Sequence, residues 1–148
     1  MIPDLTNPLF PPIVRGIEDV LSPAGYNAWI VNTDNDPERE KTQIESLRSR
    51  QVEGLIVATA RLDHPLLNRL HELGMKIVLV NRRVDGVDMP SITADDSAGV
   101  GLAVKHLVEL GHRRIAHLAG PQSTSTGVTR LAPSGTPCAT TACPRTRS

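Results

Sequence analysis

Apolar positions between residues 9 and 120 switch repeatedly between a helical and a strand-like period. Ile13, Ile17, Val20 and Leu21 recur at helical spacing behind Pro11 and Pro12, which a helix tolerates only in its first turn, and Ser22-Pro23-Ala24-Gly25 closes the segment. Residues 26–32 (YNAWIVN) have the size and apolarity of a buried strand. Asp36-Pro37-Glu38 then offers an N-cap, a proline at the first helical position and an acid in the first turn, predicting a helix to about Arg50. Residues 54–59 (GLIVAT) and 76–81 (KIVLVN) read as strands around a helix over 64–73, where Leu66, Leu67, Leu70 and Leu73 share a face. A short strand at 91–94, a helix opened by Asp95-Asp96-Ser97 and stopped by Gly111, and a strand at 114–119 (RIAHLA) complete the series.

Strands that alternate with helices and are apolar almost throughout belong to a parallel sheet covered on both faces, so the fold class is α/β with a doubly wound parallel sheet. Composition changes this picture only at the carboxyl end. Before Ser123 there are 13 basic and all 16 acidic side chains; from Ser123 onward there are three basic residues and no acid, and 16 of the 26 residues are Ser, Thr, Pro or Gly. Such a stretch buries too little surface to offset its conformational entropy. Residues 1–122 are therefore expected to form the domain, and 123–148 a disordered tail holding both cysteines, Cys138 and Cys143, as free thiols. Balanced charge argues against nucleic acid as the default partner of this chain. No apolar run approaches bilayer length and the first residues lack a basic, apolar leader, so a cytoplasmic protein without membrane contact is expected.

The chain has no nucleophile elbow, no phosphate-binding glycine-lysine loop and no paired-histidine zinc motif, so no enzyme, cofactor or metal is expected. Gly99 and Gly101 fall inside a helix rather than in a strand-to-helix turn, which suits close packing better than a dinucleotide. Adjacent Asp95 and Asp96 suit capping better than acid–base work. Polar residues at the strands' carboxyl ends, Asn32, Thr59, Asn81 and the Gly120-Pro121 loop, are placed where open α/β sheets bind ligands. They could hold a hydroxyl-rich small molecule by hydrogen bonds, or be ordinary polar loop ends.

Several segments in register carry a resemblance: residues 3–10 (PDLTNPLF), 13–18 (IVRGIE), Gly25-Tyr26, Asn32-Thr33-Asp34 with 36–40 (DPERE), 52–57 (VEGLIV) and above all 106–116 (HLVELGHRRIA). Together they resemble the LacI/GalR family of bacterial transcription repressors over about residues 2–132. The resemblance is to the first lobe of the effector-sensing domain, which is similar to type I periplasmic sugar-binding proteins. It implies a switch in which a helix-turn-helix headpiece binds operator DNA as a dimer and a small, sugar-like effector between two lobes shifts the dimer between geometries. It implies effector contacts from Leu9 and Phe10 at a helix start, Thr59 at a strand end, Thr126 and Arg130 after the Gly120-Pro121 turn, and, with less support, Asp95. Arg130 leads this set, because a guanidinium fork can hold several hydroxyls.

Two departures shape the expectations. The headpiece has no counterpart in these residues, and Met1 matches the tail of the family's first strand, so DNA reading is expected to be absent and the lobe incomplete. Strands at 26–32 and 54–59 would then each lack a partner, predicting a marginal, aggregation-prone fold. After Ala132 the family-like sequence gives way to the Ser/Thr/Pro tail, which suggests a shifted reading frame or a decayed gene. The expected function is thus part of a LacI-type regulator, with homodimerisation a family expectation; a stand-alone sugar-binding module of periplasmic type is the alternative.

Overall fold

A computed structural model describes residues 1–131. The cysteine pair and the rest of the tail, 132–148, lie outside the described residues. Helix boundaries follow the expected capping chemistry. Helix α1 (Phe10–Leu21) carries its prolines at the start, where their missing N–H groups have no intrahelical partner to lose. Helix α2 (Pro37–Ser49) is capped by Asp36, whose carboxylate accepts from the N–H groups of Glu38 and Arg39. Helix α3 (Pro65–Glu72) has an unusual cap: the Nδ1 atom of His64 accepts from the Leu67 N–H at 3.4 Å. Helix α4 (Asp96–Glu109) is capped by Asp95, which accepts from the Ala98 N–H at 2.9 Å.

Strands β1 (Gly54–Val57), β2 (Lys76–Val80) and β3 (Ser91–Ile92) pair in parallel in that spatial order. The register sets Gly54 against Lys76, Val57 against Leu79, and Val80 against Ile92. Leu55, Val57, Ile77 and Leu79 point to one face and form the main core with Ile44 and Leu47 of α2 and Leu67 and Leu70 of α3. Full burial of each such side chain contributes about 1.5–3 kcal/mol. On the other face Ile56, Val78 and Val80 look across a groove toward Ile13, Val14 and Ile17 of α1. Helices therefore flank both faces of a parallel sheet, as the near-continuous apolar strands require.

Two expected strands do not form. Residues 26–32 make a single parallel bridge, Ile2 to Asn32, in which the Ile2 N–H donates to the Val31 carbonyl (2.8 Å) and the Thr33 N–H donates to the Ile2 carbonyl (3.0 Å). On the side of β1, the Met1 ammonium donates to the Ile56 carbonyl (2.7 Å) and the Ala58 N–H donates to the Met1 carbonyl (3.0 Å). Met1 and Ile2 thus occupy only the carboxyl-side end of the space between 26–32 and β1. The remainder is a groove of about 620 Å³, and Tyr26, Trp29 and Ile30 on its wall stay about half exposed. Residues 114–119 also fail to pair, and Leu118 is 90% exposed. Apolar periodicity reports a capacity for burial, whereas a strand also needs a neighbour in register. The strands that do form end earlier than expected, at Val57, Val80 and Ile92.

The stretch expected to be disordered from residue 123 instead begins with helix α5 (Ser125–Leu131), in which Ser125, Thr126 and Gly127 are buried. Small side chains let it sit against the preceding turn. A Cβ on Gly127 would lie 2.0 Å from the Pro121 carbonyl oxygen, so no other residue fits there without movement. The Thr124 hydroxyl accepts from the Gly127 N–H at 3.2 Å, serving the helix start.

Candidate functional site

Parallel strands deliver their carboxyl ends to one edge of a sheet, and the charged chemistry of this chain collects there. Past β1 the chain passes through Thr59 and Arg61; past β2 it passes through Asn81 and Arg82. Asn81 has a positive φ of 66°, a left-handed geometry that asparagine tolerates better than most residues, and it turns the chain out of the strand. The loop before α5 docks onto both ends: the Leu62 N–H donates to the Ser123 carbonyl (2.9 Å) and the Arg83 N–H to the Ser125 hydroxyl (3.0 Å).

At the centre sits Glu40, from the first turn of α2, at only 2% exposure. Its carboxylate accepts from the Thr59 hydroxyl, from Arg61 at 3.3 Å and from His64 Nε2 at 3.1 Å. Because His64 Nδ1 already accepts from Leu67, the imidazole proton resides on Nε2 and is directed at Glu40. Burial pushes the Glu40 pKa up, but the hydrogen bonds from His64 and Thr59 and the charge of Arg61 outweigh it and hold the carboxyl below its ordinary value. One carboxylate thereby ties α2, the end of β1 and the cap of α3 together.

Arg130 of α5 reaches back to α4, with Nε donating to Asp96 at 2.8 Å. Arg82 has no such arrangement. Its Nε atom is buried without a hydrogen-bond partner, and no carboxylate lies within ion-pair distance among the described residues. Burial lowers its pKa; the nearby Glu40 charge opposes that, while Arg61 and Arg130 add to it. Three guanidinium groups therefore share this edge with two carboxylates, one engaged by Arg61 and the other by Arg130.

The expected effector residues divide accordingly. Thr59 and Arg130 lie at the charged edge, as does Thr126, buried with its hydroxyl 3.3 Å from that of Thr124. Leu9 is 45% exposed where α1 begins. Phe10 is buried in a small apolar cluster with Ile2 and Ala58, so its ring serves packing. Asp95 caps α4, while its neighbour Asp96 holds Arg130. Sequence reasoning missed Glu40, Arg61, His64, Asp96 and Arg82. Arg61 and Arg82 could have been found by extending the strand-end rule past Thr59 and Asn81; Glu40 carries no local signal in a helix studded with charges. The 620 Å³ groove lies elsewhere, against the β1–β2 face and α1, and is lined mainly by apolar side chains, with Arg50, Gln51, Glu53 and Lys76 toward its amino-end side. Among the described residues no three His, Cys, Asp or Glu side chains converge as a metal site. The edge can donate many hydrogen bonds to a polar ligand, with Glu40 and Asp96 keeping two of the donors in place.

Residues 1–135 match the family model described as periplasmic binding proteins and the sugar-binding domain of the LacI family. The ribose operon repressor of Halalkalibacterium halodurans is 35% identical over 122 residues, 82% of this chain and 36% of the repressor. Among solved structures, the Cra transcriptional dual regulator of Pseudomonas putida, in complex with fructose 1-phosphate, superposes with a TM-score of 0.80 at 25% identity, covering 87% of this chain and 48% of that one. A periplasmic binding protein/LacI transcriptional regulator from Alkaliphilus metalliredigens, complexed with D-xylulofuranose, gives 0.75 at 30% identity, covering 88% and 47%. The chain thus spans about a third of that repressor's length and about half of each solved chain.

Proposed function

The chain belongs to the family of periplasmic binding proteins and LacI-type sugar-binding domains, and from that premise we propose that it supplies one lobe of the effector-sensing part of a bacterial transcription regulator. The effector in this reading is a small, hydroxyl-rich molecule of sugar type. It lies at the carboxyl edge of the sheet, against Thr59, Arg61, Arg82, Thr126 and Arg130, with Leu9 at the rim. The observation that carries the reading is the convergence of these donors at the strand ends of a parallel sheet, where ligands of open α/β folds bind. The curated relatives are named as transcriptional regulators, not enzymes, and include repressors of ribose and arabinose metabolism, so the stand-alone sugar-binding alternative is not favoured. Operator binding, dimerisation and action in the cytoplasm are proposals for the whole regulator. In it a second lobe would bury the ligand's other face, and the effector would bias an equilibrium between two geometries.

Titrating the isotopically labelled chain with ribose, fructose and xylulose while following amide resonances tests the site. Shifts confined to residues 59–61, 81–83 and 123–130 are expected. Shifts centred on the apolar groove, or none with any polyol, would remove the reading.

A further inference from the structure

The network around Glu40 is closed everywhere except at Arg61. Glu40 is 2% exposed, Thr59 4% and His64 fully buried, whereas the Arg61 side chain keeps 31% of its surface open. Thr59 occupies one carboxylate oxygen and His64 the other, which already ties α2 to the end of β1 and to the cap of α3. A hydroxyl and a neutral imidazole satisfy hydrogen bonding but leave the buried negative charge unmatched. Arg61 matches it, through Nη1 on the oxygen that His64 also uses. The pull is reciprocal. Arg61 stands close enough to Arg82 for their like charges to interact, and among the described residues no other carboxylate lies within ion-pair distance of it. Without Glu40 its long stem would let the guanidinium turn toward water; with Glu40 the planar fork is fixed, and its remaining N–H groups stay at the edge of the sheet.

Resting on the effector-site reading above, we infer that Glu40 is a positioning residue for the effector: it does not meet the ligand, but anchors Arg61 so that the free N–H groups of the guanidinium are aimed before a polyol arrives. The freedom of the Arg61 side chain is then given up on folding rather than on binding, which is how preorganisation raises affinity. Ligand affinity thereby comes to depend on a buried residue of α2.

Titrations of the full chain with ribose, fructose and xylulose, read through amide and arginine Nε–Hε resonances, test this in Glu40→Gln, Arg61→Ala and the double variant. Each single variant is expected to weaken polyol binding about tenfold and the double variant no further, because both changes remove the same aimed group. In ligand-free Glu40→Gln the Arg61 Nε–Hε resonance should move to the position of a solvent-exposed arginine. Glu40→Asp keeps the charge but draws it back by one methylene, so both readouts should fall between wild type and Glu40→Gln. It decides the matter should the glutamine variant fail to fold, an unchanged affinity and resonance then counting against the inference. A tie that serves stability alone predicts a lower urea midpoint with polyol affinity and the Arg61 resonance untouched, or losses that add in the double variant. Either result overturns this inference and leaves the effector reading standing. If the wild-type chain binds none of the three polyols, the effector reading falls and this inference falls with it.

Discussion

Arg82 and Glu40 are opposite solutions to burying a charge. At Glu40 three donors replace water, so removing the carboxylate strands them: Glu40→Ala is expected to cost about 3 kcal/mol in urea denaturation, the range for breaking a buried pair. At Arg82 the buried Nε–H has no partner, so Arg82→Met should leave the ligand-free chain as stable or more stable by about 1 kcal/mol. A loss of stability in that variant would mean that Arg82 has a structural partner. Titration adds two further expectations. The Met1 amine is lowered from 8.0 to about 6, chiefly by burial against the sheet, with Glu40 opposing. Between pH 6 and 8 the unfolded amine is protonated and the folded one is not, so unfolding takes up a proton and stability rises with pH across this window by about 2–3 kcal/mol. Glu40 works at lower pH: its pKa is depressed on folding, so its contribution is present above the ordinary carboxylate range and is lost as pH falls through the folded value. Urea midpoints from pH 3 to 9 should show both limbs.

The elements differ in how completely their edges and ends are satisfied. Helix α2 owes its start to Asp36, and Asp36→Ala should cost about 1 kcal/mol. Helix α3 owes its place to packing: Leu67 is fully buried in the main core, and Leu67→Ala should cost about 2–5 kcal/mol by leaving a cavity between α3 and the sheet. In the sheet, β2 has neighbours on both sides, whereas 26–30 and 114–119 have no ladder at all. Hydrogen exchange should therefore be slowest at residues 77–79 and rapid at 26–30 and 114–119. Protection of 26–30 equal to that of β2 would contradict the pairing described above. The same unpaired edges give physical content to the expectation of an aggregation-prone fold, since an open edge beside an apolar groove can template pairing with another chain.

Across the whole molecule the apolar groove and the charged edge are kept apart by the direction of the strands. Arg50 lies 5.2 Å from the ring centre of Trp29 just ahead of β1, at the amino-end side of the sheet, whereas the arginines that would meet a ligand follow the carboxyl ends. Ligand binding should accordingly leave Trp29 emission unchanged, while urea should shift it; a ligand-induced shift would relocate the site to the groove. A ligand at this edge would be enclosed from one side by the described residues, so weak binding is expected of residues 1–131 by themselves.

What residues 1–131 determined by local pattern was helices α1 to α4, the caps of α2 and α4, the approximate places of β1, β2 and β3, and, through motifs in register, the family. These depend on side chains within a few positions of one another: Asp36 and Asp95 reach their own helices' N–H groups, and leucines three and four apart share a face whatever surrounds them. The candidate site was legible only in part, because Thr59 was expected from its strand end and Arg130 from the family resemblance, while their partners Glu40 and Asp96 come from α2 and α4, 19 and 34 residues away. Tertiary structure alone decided that residues 26–32 and 114–119 would not pair, that Phe10 would be core, and that Arg82 would keep its charge without a carboxylate. Each depends on which neighbours arrive through space, and periodicity along a chain carries no information about that.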